Sequence, residues 1–177
     1  MGCDIHSFAE KKVNNKWEKI GEHFSLGDWE KQYYKKEKGE NPFDWRSYSM
    51  FAFLADVRNY DHCEPVSKPK GLPNDVCDEV KKEYEDWECD DHSASYLTLK
   101  ELLEFDYDKV FWNRRISRTT YNENGGSFTN GAAIAEEREG THVTYREKLG
   151  EFFFTHLEEL KELGNPDEVR VVFWFDN

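Results

Sequence analysis

Asp4, His6 and Glu10 set an imidazole between two carboxylates in one short segment. If Cys3 to Lys12 is extended, alternation puts Asp4, His6, Phe8 and Glu10 on one side and Cys3, Ile5, Ser7 and Ala9 on the other. Neighbouring positions on one face lie about 6.5 to 7 Å apart at Cα, so Asp4 and His6 reach a common ligand while Glu10 stands two steps further on. Such a set binds a divalent metal or works as acid and base. The plainer reading is a half-buried His6 that Asp4 orients. His92 follows Asp90-Asp91 and precedes Ser93-Ala94-Ser95, so one connector offers a second imidazole, two carboxylates and two hydroxyls. It completes a site with Asp4 and His6, or it is a polar turn ahead of the next helix. Asp4, His6 and His92 are therefore the catalytic candidates if the protein is an enzyme. The same three are the candidate ligands of a divalent metal, should the protein hold one, and no other cofactor is indicated.

Arg46, Arg58 and Lys70 stand beside helix ends or a Gly/Pro-shaped loop, where a cation meets an anionic ligand. Arginine forks match phosphate or carboxylate oxygens bidentately, and a helix opening after Asn74 adds backbone N–H donors. The alternative is pairing with some of the 37 acidic side chains. Ser93 and Ser95 add hydroxyls to the same ligand-binding set. A zinc reading draws on His62-Cys63, Cys77 and Cys89-x2-His92, but there is no CxxC pair. No P-loop, GxGxxG, GxSxG or HExxH occurs. His142 and His156 fall in a long helix, with His156 on its apolar stripe.

The elements that must position these groups follow from pattern. Asn14-Asn15 turns the first strand into Trp17 to Ile20, a hairpin. The stretch from about 21 to 42 has no clean period and reads as an exposed insertion with a short helix near Trp29 to Lys38. Asp44 caps a helix carrying Tyr48, Phe51, Ala52 and Ala55 at i, i+3, i+4 and i+7. It ends near Val57, so Arg58-Asn59 leaves at its C-terminal end. Asn74 caps a helix with Val76, Val80, Tyr84 and Trp87 on one stripe. Thr98-Leu99-Lys100-Glu101 is a capping box. Val110 to Ile134 reads as a second hairpin about Asn122 to Gly126, or an irregular β segment. The longest helix spans about Val143 to Leu163, stopped by Gly164 and Pro166. Glu168 to Phe175 is apolar on both faces, the mark of a central strand covered on both sides. The fold class expected is α+β: a small, mostly antiparallel sheet that includes the N- and C-terminal strands, packed with about four helices, in a single domain over 1–177.

With 177 residues the chain is too short for two full-sized cores. Its formal charge of −13 disfavours general nucleic-acid binding. A hydrophobic share of 37% against 34% charged leans toward disorder, but 13 Phe, 9 Tyr and 6 Trp argue for a folded, aromatic core. No stretch has the roughly 18 apolar residues of a membrane span, and no cationic-then-apolar leader opens the sequence. Met1-Gly2-Cys3 lacks the hydroxyl at position six that acylation wants, since His6 stands there. The four cysteines read as free thiols of a reducing cytoplasm.

Gly2-Cys3-Asp4-Ile5-His6, Arg46-Ser47-Tyr48, Ala55-Asp56-Val57-Arg58-Asn59, Lys70-Gly71-Leu72-Pro73, His92-Ser93-x-Ser95-Tyr96-Leu97 and Val171-Val172-Phe173-Trp174-Phe175-Asp176-Asn177 are spread over the whole chain. Together they resemble a family of small phage and prophage proteins. The resemblance implies that Asp4, His6, Arg58, Asn59 and His92 form one site. The chain departs from the family pattern at Lys70 (usually arginine), Asp91 (usually glycine) and Ala94 (commonly a second histidine), and the 21–42 stretch is extra length. The expected function is a phage-type accessory, anti-defence protein that binds and sequesters a small anionic nucleotide-like signal, with Arg46, Arg58 and Lys70 on its phosphates. That step is by analogy with phage proteins of other families. The alternatives are a hydrolase or phosphodiesterase cleaving such a signal through Asp4, His6 and His92, and an acidic inhibitor that binds a host enzyme through the 21–42 stretch.

Overall fold

The computed structural model describes residues 2–87, 91–113, 115–116, 133–134 and 141–177. In chain order the elements are β1 (Asp4–Val13), β2 (Lys16–Lys19), β3 (Phe24–Ser25), α1 (Asp28–Tyr34), β4 (Lys38–Gly39), α2 (Tyr48–Ala55), α3 (Asp78–Glu85), β5 (His92–Thr98), α4 (Leu99–Glu104), β6 (Val110–Asn113), β7 (Arg115–Ile116), β8 (Ala133–Ile134), β9 (Thr141–Thr144), α5 (Tyr145–Leu149), α6 (Glu151–Glu162) and β10 (Val169–Asp176). The fold is α+β, with six helices among the described residues. They divide into two compact units: residues 1–46, 69–105 and 151–177 in the first, and 47–68 with 106–150 in the second.

The first unit is built on a four-stranded antiparallel sheet in the order β2-β1-β10-β5. The N- and C-terminal strands are direct neighbours, with Asp4 opposite Asp176 and His6 opposite Trp174. β10 is buried from Val169 to Phe175, as an inner strand apolar on both faces must be. Asn14 and Asn15 take the left-handed φ values of 50° and 62° that a tight hairpin requires and asparagine tolerates. On the Phe8 and Trp174 face, Val80 of α3 closes a core with Val172. The opposite row, Cys3, Ile5, Ser7 and Ala9, is buried too, and the Ser7 hydroxyl donates to the Pro42 carbonyl.

Several expected helix boundaries are corrected. α2 is capped by Ser47, not Asp44, and its residues are buried from Met50 to Ala55. α3 begins at Asp78 behind Cys77 rather than at Asn74, because the fully buried Glu10 carboxylate accepts the Cys77 N–H at 2.8 Å and supplies the cap from β1. Glu10 also receives Arg170 Nε at 2.6 Å, and Arg170 continues to Asp75 at 2.7 Å and packs 3.9 Å from the Trp17 ring centre. The expected long helix is two helices, α5 and α6, parted by Gly150 at φ 78°. The Thr98 capping box is present as read.

The 21–42 stretch carries β3, α1 and β4. Phe24 is fully buried, and Glu159 of α6 binds Ser25 and Lys38, while α1 buries no residue. In the second unit β6 pairs with β9 and β7 with β8, and the expected turn at Asn122 to Gly126 lies outside the described residues. Among the described residues no helix is long and apolar enough to cross a membrane.

Candidate functional site

The end of the sheet where β1 starts and β10 stops forms one side of a hollow of about 430 Å³, lined by Asp4, Ile5, His6, Asp44, Trp45, Arg46, Trp87 and Asp176. All of them belong to the first unit. Strand register puts Asp4 and Asp176 side by side, and the Asp4 N–H donates to Asp176 Oδ1 at 3.2 Å. His6 Nε2 meets Asp176 Oδ2 at 3.0 Å. An ionised carboxylate only accepts, so this contact puts a hydrogen on Nε2. The imidazole is held between Trp87, 3.8 Å away centre to centre, and Trp174, 5.9 Å away.

Arg46 forks onto Asp4, Nε to Oδ1 at 2.7 Å and Nη2 to Oδ2 at 2.5 Å. Those hydrogen bonds hold the Asp4 carboxyl below its ordinary range, with the charges of Arg46 and His6 adding to the effect. Asp44 is different. Two anchors flank it: Phe43 is fully buried, stacks on Phe153 at 4.6 Å and donates its N–H to His156 Nδ1, while Trp45 packs on Phe152 at 4.8 Å. Asp44 itself keeps substantial exposure, but the protein packed around it displaces part of its water. This desolvation pushes its carboxyl up to about 6, with Glu30 and Asp4 adding to the rise and His6 opposing it.

The sequence-predicted residues divide. Asp4, His6 and Arg46 come together in the hollow. His92 lies on the opposite face of the sheet: it pairs in register with Phe175, stacks on that ring at 5.9 Å, and its Nε2 is 4.0 Å from Cys3 Sγ. Its Nδ1 meets Ser93 Oγ at 3.0 Å, where Ser93 takes φ 55° beside an irregularity in the β5–β10 ladder. Ser95 is buried and accepts the Lys70 backbone N–H, so it fixes a loop. Lys70 Nζ bonds Glu101 at 2.6 Å and lies over the Tyr96 ring. Glu10 is consumed by the Arg170 network. Arg58 and Asn59 belong to the second unit. The Asn59 amide closes its own loop through Asp56 Oδ1 and both backbone groups of Cys63.

Among the described residues no group of three or more His, Cys, Asp or Glu side chains is placed to hold a metal ion. Cys89 of the zinc reading lies outside them. Cys3, Cys63 and Cys77 are free thiols. Burial, with Asp61 nearby, pushes the Cys63 thiol up to about 12, which keeps it protonated and unreactive. Sequence reasoning missed Asp44 and Trp45 as site residues, although an aspartate between two aromatic anchors was a visible signal, and it placed Trp87 only on a helix stripe. Comparison of the chain with protein-family models, with curated proteins and with solved structures finds no match.

Proposed function

We propose that the protein captures a small nucleotide-like molecule in the hollow at the end of the β1–β10 pair, in the manner of a phage-type accessory protein that withdraws a signal. The observation that carries this reading is the hollow itself. Two tryptophans form its walls, and three carboxylates, one guanidinium and one oriented imidazole converge on a space of about 430 Å³, within the range of small-ligand sites. A flat base stacks on indole independently of its identity. Arg46, held rigid by Asp4, offers a fixed guanidinium at the rim to an anionic group.

Capture is favoured over cleavage because His6 and His92 stand on opposite faces of one sheet, so the acid–base pair expected of a hydrolase is not assembled. A second reading, contact with a protein partner, draws on α1, whose Trp29 and Tyr33 stack at 5.1 Å and are both about two-thirds exposed.

The test is direct. Purified protein is incubated with a nucleotide extract, desalted and denatured by heat, and the released material is weighed by mass spectrometry. Intact nucleotide from the wild type, absent from Trp87→Ala, is the expected result. A converted nucleotide would make the protein a hydrolase, and no nucleotide at all would remove the capture reading.

A further inference from the structure

Asp44 is the side chain in the hollow that the rest of the structure does not account for. Arg46 and Asp4 neutralise each other, and His6 and Asp176 form a second pair. Asp44 makes no hydrogen bond or ion pair among the described residues, yet the buried Phe43 and the packed Trp45 fix the backbone on either side of it. Phe43 takes φ 58°, a left-handed conformation that a phenylalanine adopts only when its surroundings impose it. The chain is thus turned so that Asp44 lines the hollow together with Trp45 and Trp87. Its neighbours there include two further carboxylates, so a ligand group that met it with lone pairs would meet repulsion. A carboxylate presents two coplanar acceptors and is matched by two adjacent N–H donors on a flat group.

We infer that the captured ligand carries a guanine-type base, whose neighbouring N1–H and N2–H2 groups donate to the two oxygens of Asp44 while the ring stacks on the tryptophan walls of the hollow. The inference rests on the capture reading and names its ligand class. Guanine is the nucleobase that offers two adjacent donors on one edge. Adenine and cytosine place a lone-pair nitrogen beside their amino group, and uracil sets its single N–H between two carbonyls. Each of these opposes at least one Asp44 oxygen with a lone pair. A site built to accept hydrogen bonds disfavours such a ligand, because binding strips water from an acceptor that the ligand then leaves unmatched.

The probes are guanosine, inosine and adenosine 5′-monophosphates, titrated by calorimetry into the wild type and into Asp44→Asn. Because the Asp44 side chain has no partner within the described residues, the variant is expected to fold, and circular dichroism checks that it does. The guanine nucleotide should bind about tenfold or more tighter than the inosine nucleotide, which lacks the 2-amino donor, and tighter again than the adenine nucleotide. Asp44→Asn should erase that order by weakening the guanine nucleotide about tenfold and tightening the adenine nucleotide, whose lone-pair nitrogen and amino group the amide can meet with one donor and one acceptor. Equal affinities for the three, or an order that survives Asp44→Asn, would overturn the guanine inference and leave capture standing. Failure of all three to bind the folded wild type would overturn both.

Discussion

At the scale of single residues, Asp44, the proposed ligand contact, carries a cost to stability. Its carboxyl is pushed up to about 6 from an ordinary value of 3.8, so between those values the folded protein binds more protons than the unfolded chain. Stability contributed by this group therefore falls as pH rises from about 4 to about 6, and above that the folded state bears the cost of a desolvated charge. Replacing it by asparagine removes that cost. Asp44→Asn should raise unfolding stability by about 1 kcal/mol at pH 7.5, since solvent at this partly exposed carboxyl screens the full linkage value, and should change nothing near pH 3.5. Urea unfolding at the two pH values measures it. A variant less stable than wild type at pH 7.5 would mean that Asp44 has a stabilising partner. The residue reads in the sequence as a helix cap, because aspartate ahead of an amphipathic run looks the same whether it caps the helix or faces a ligand. Only the burial of Phe43 and the Ser47 hydroxyl's contact with Met50 N–H separate the two roles.

At the scale of elements, local chemistry made some features legible and distant contacts hid others. The Asn14-Asn15 hairpin, the Thr98 capping box and the doubly buried last strand each follow from residues adjacent in sequence. The start of α3 does not, because its cap is the Glu10 carboxylate from another strand. The same holds for the site: Asp4 and His6 were visible as a strand-face pair, but Asp176 joins them only through antiparallel register, and alternation within β1 could not say that His92 on β5 faces the other way. The apolar stripe from Val143 to Leu163 runs on through Gly150, whose left-handed φ interrupts the helix. A side chain there is strained, so Gly150→Ala should cost about 1 kcal/mol or more by chemical denaturation. A neutral or stabilising result would mean that the chain accepts one continuous helix across 145–162, as its hydrophobic period alone predicts.

At the scale of the whole molecule, the formal charge of −13 acts on every approaching partner before any contact forms. A mononucleotide carrying about two negative charges is repelled at long range, and salt screens that repulsion once the Debye length falls to about 10 Å near 0.1 M. Its association rate constant should therefore increase about two- to threefold between about 0.02 M and about 0.15 M salt, the reverse of what a polyanion-binding protein shows. Stopped-flow tryptophan fluorescence is suited to the measurement, since Trp45 and Trp87 line the hollow. The same experiment separates the two functional readings. A basic host enzyme docking on this acidic surface is drawn in by the field, so its association slows as salt rises. An association rate that falls with salt for the nucleotide itself would mean that the entrance to the hollow is locally positive despite Asp4, Asp44 and Asp176. The capture model would then need a cationic route past Arg46 that those three carboxylates oppose.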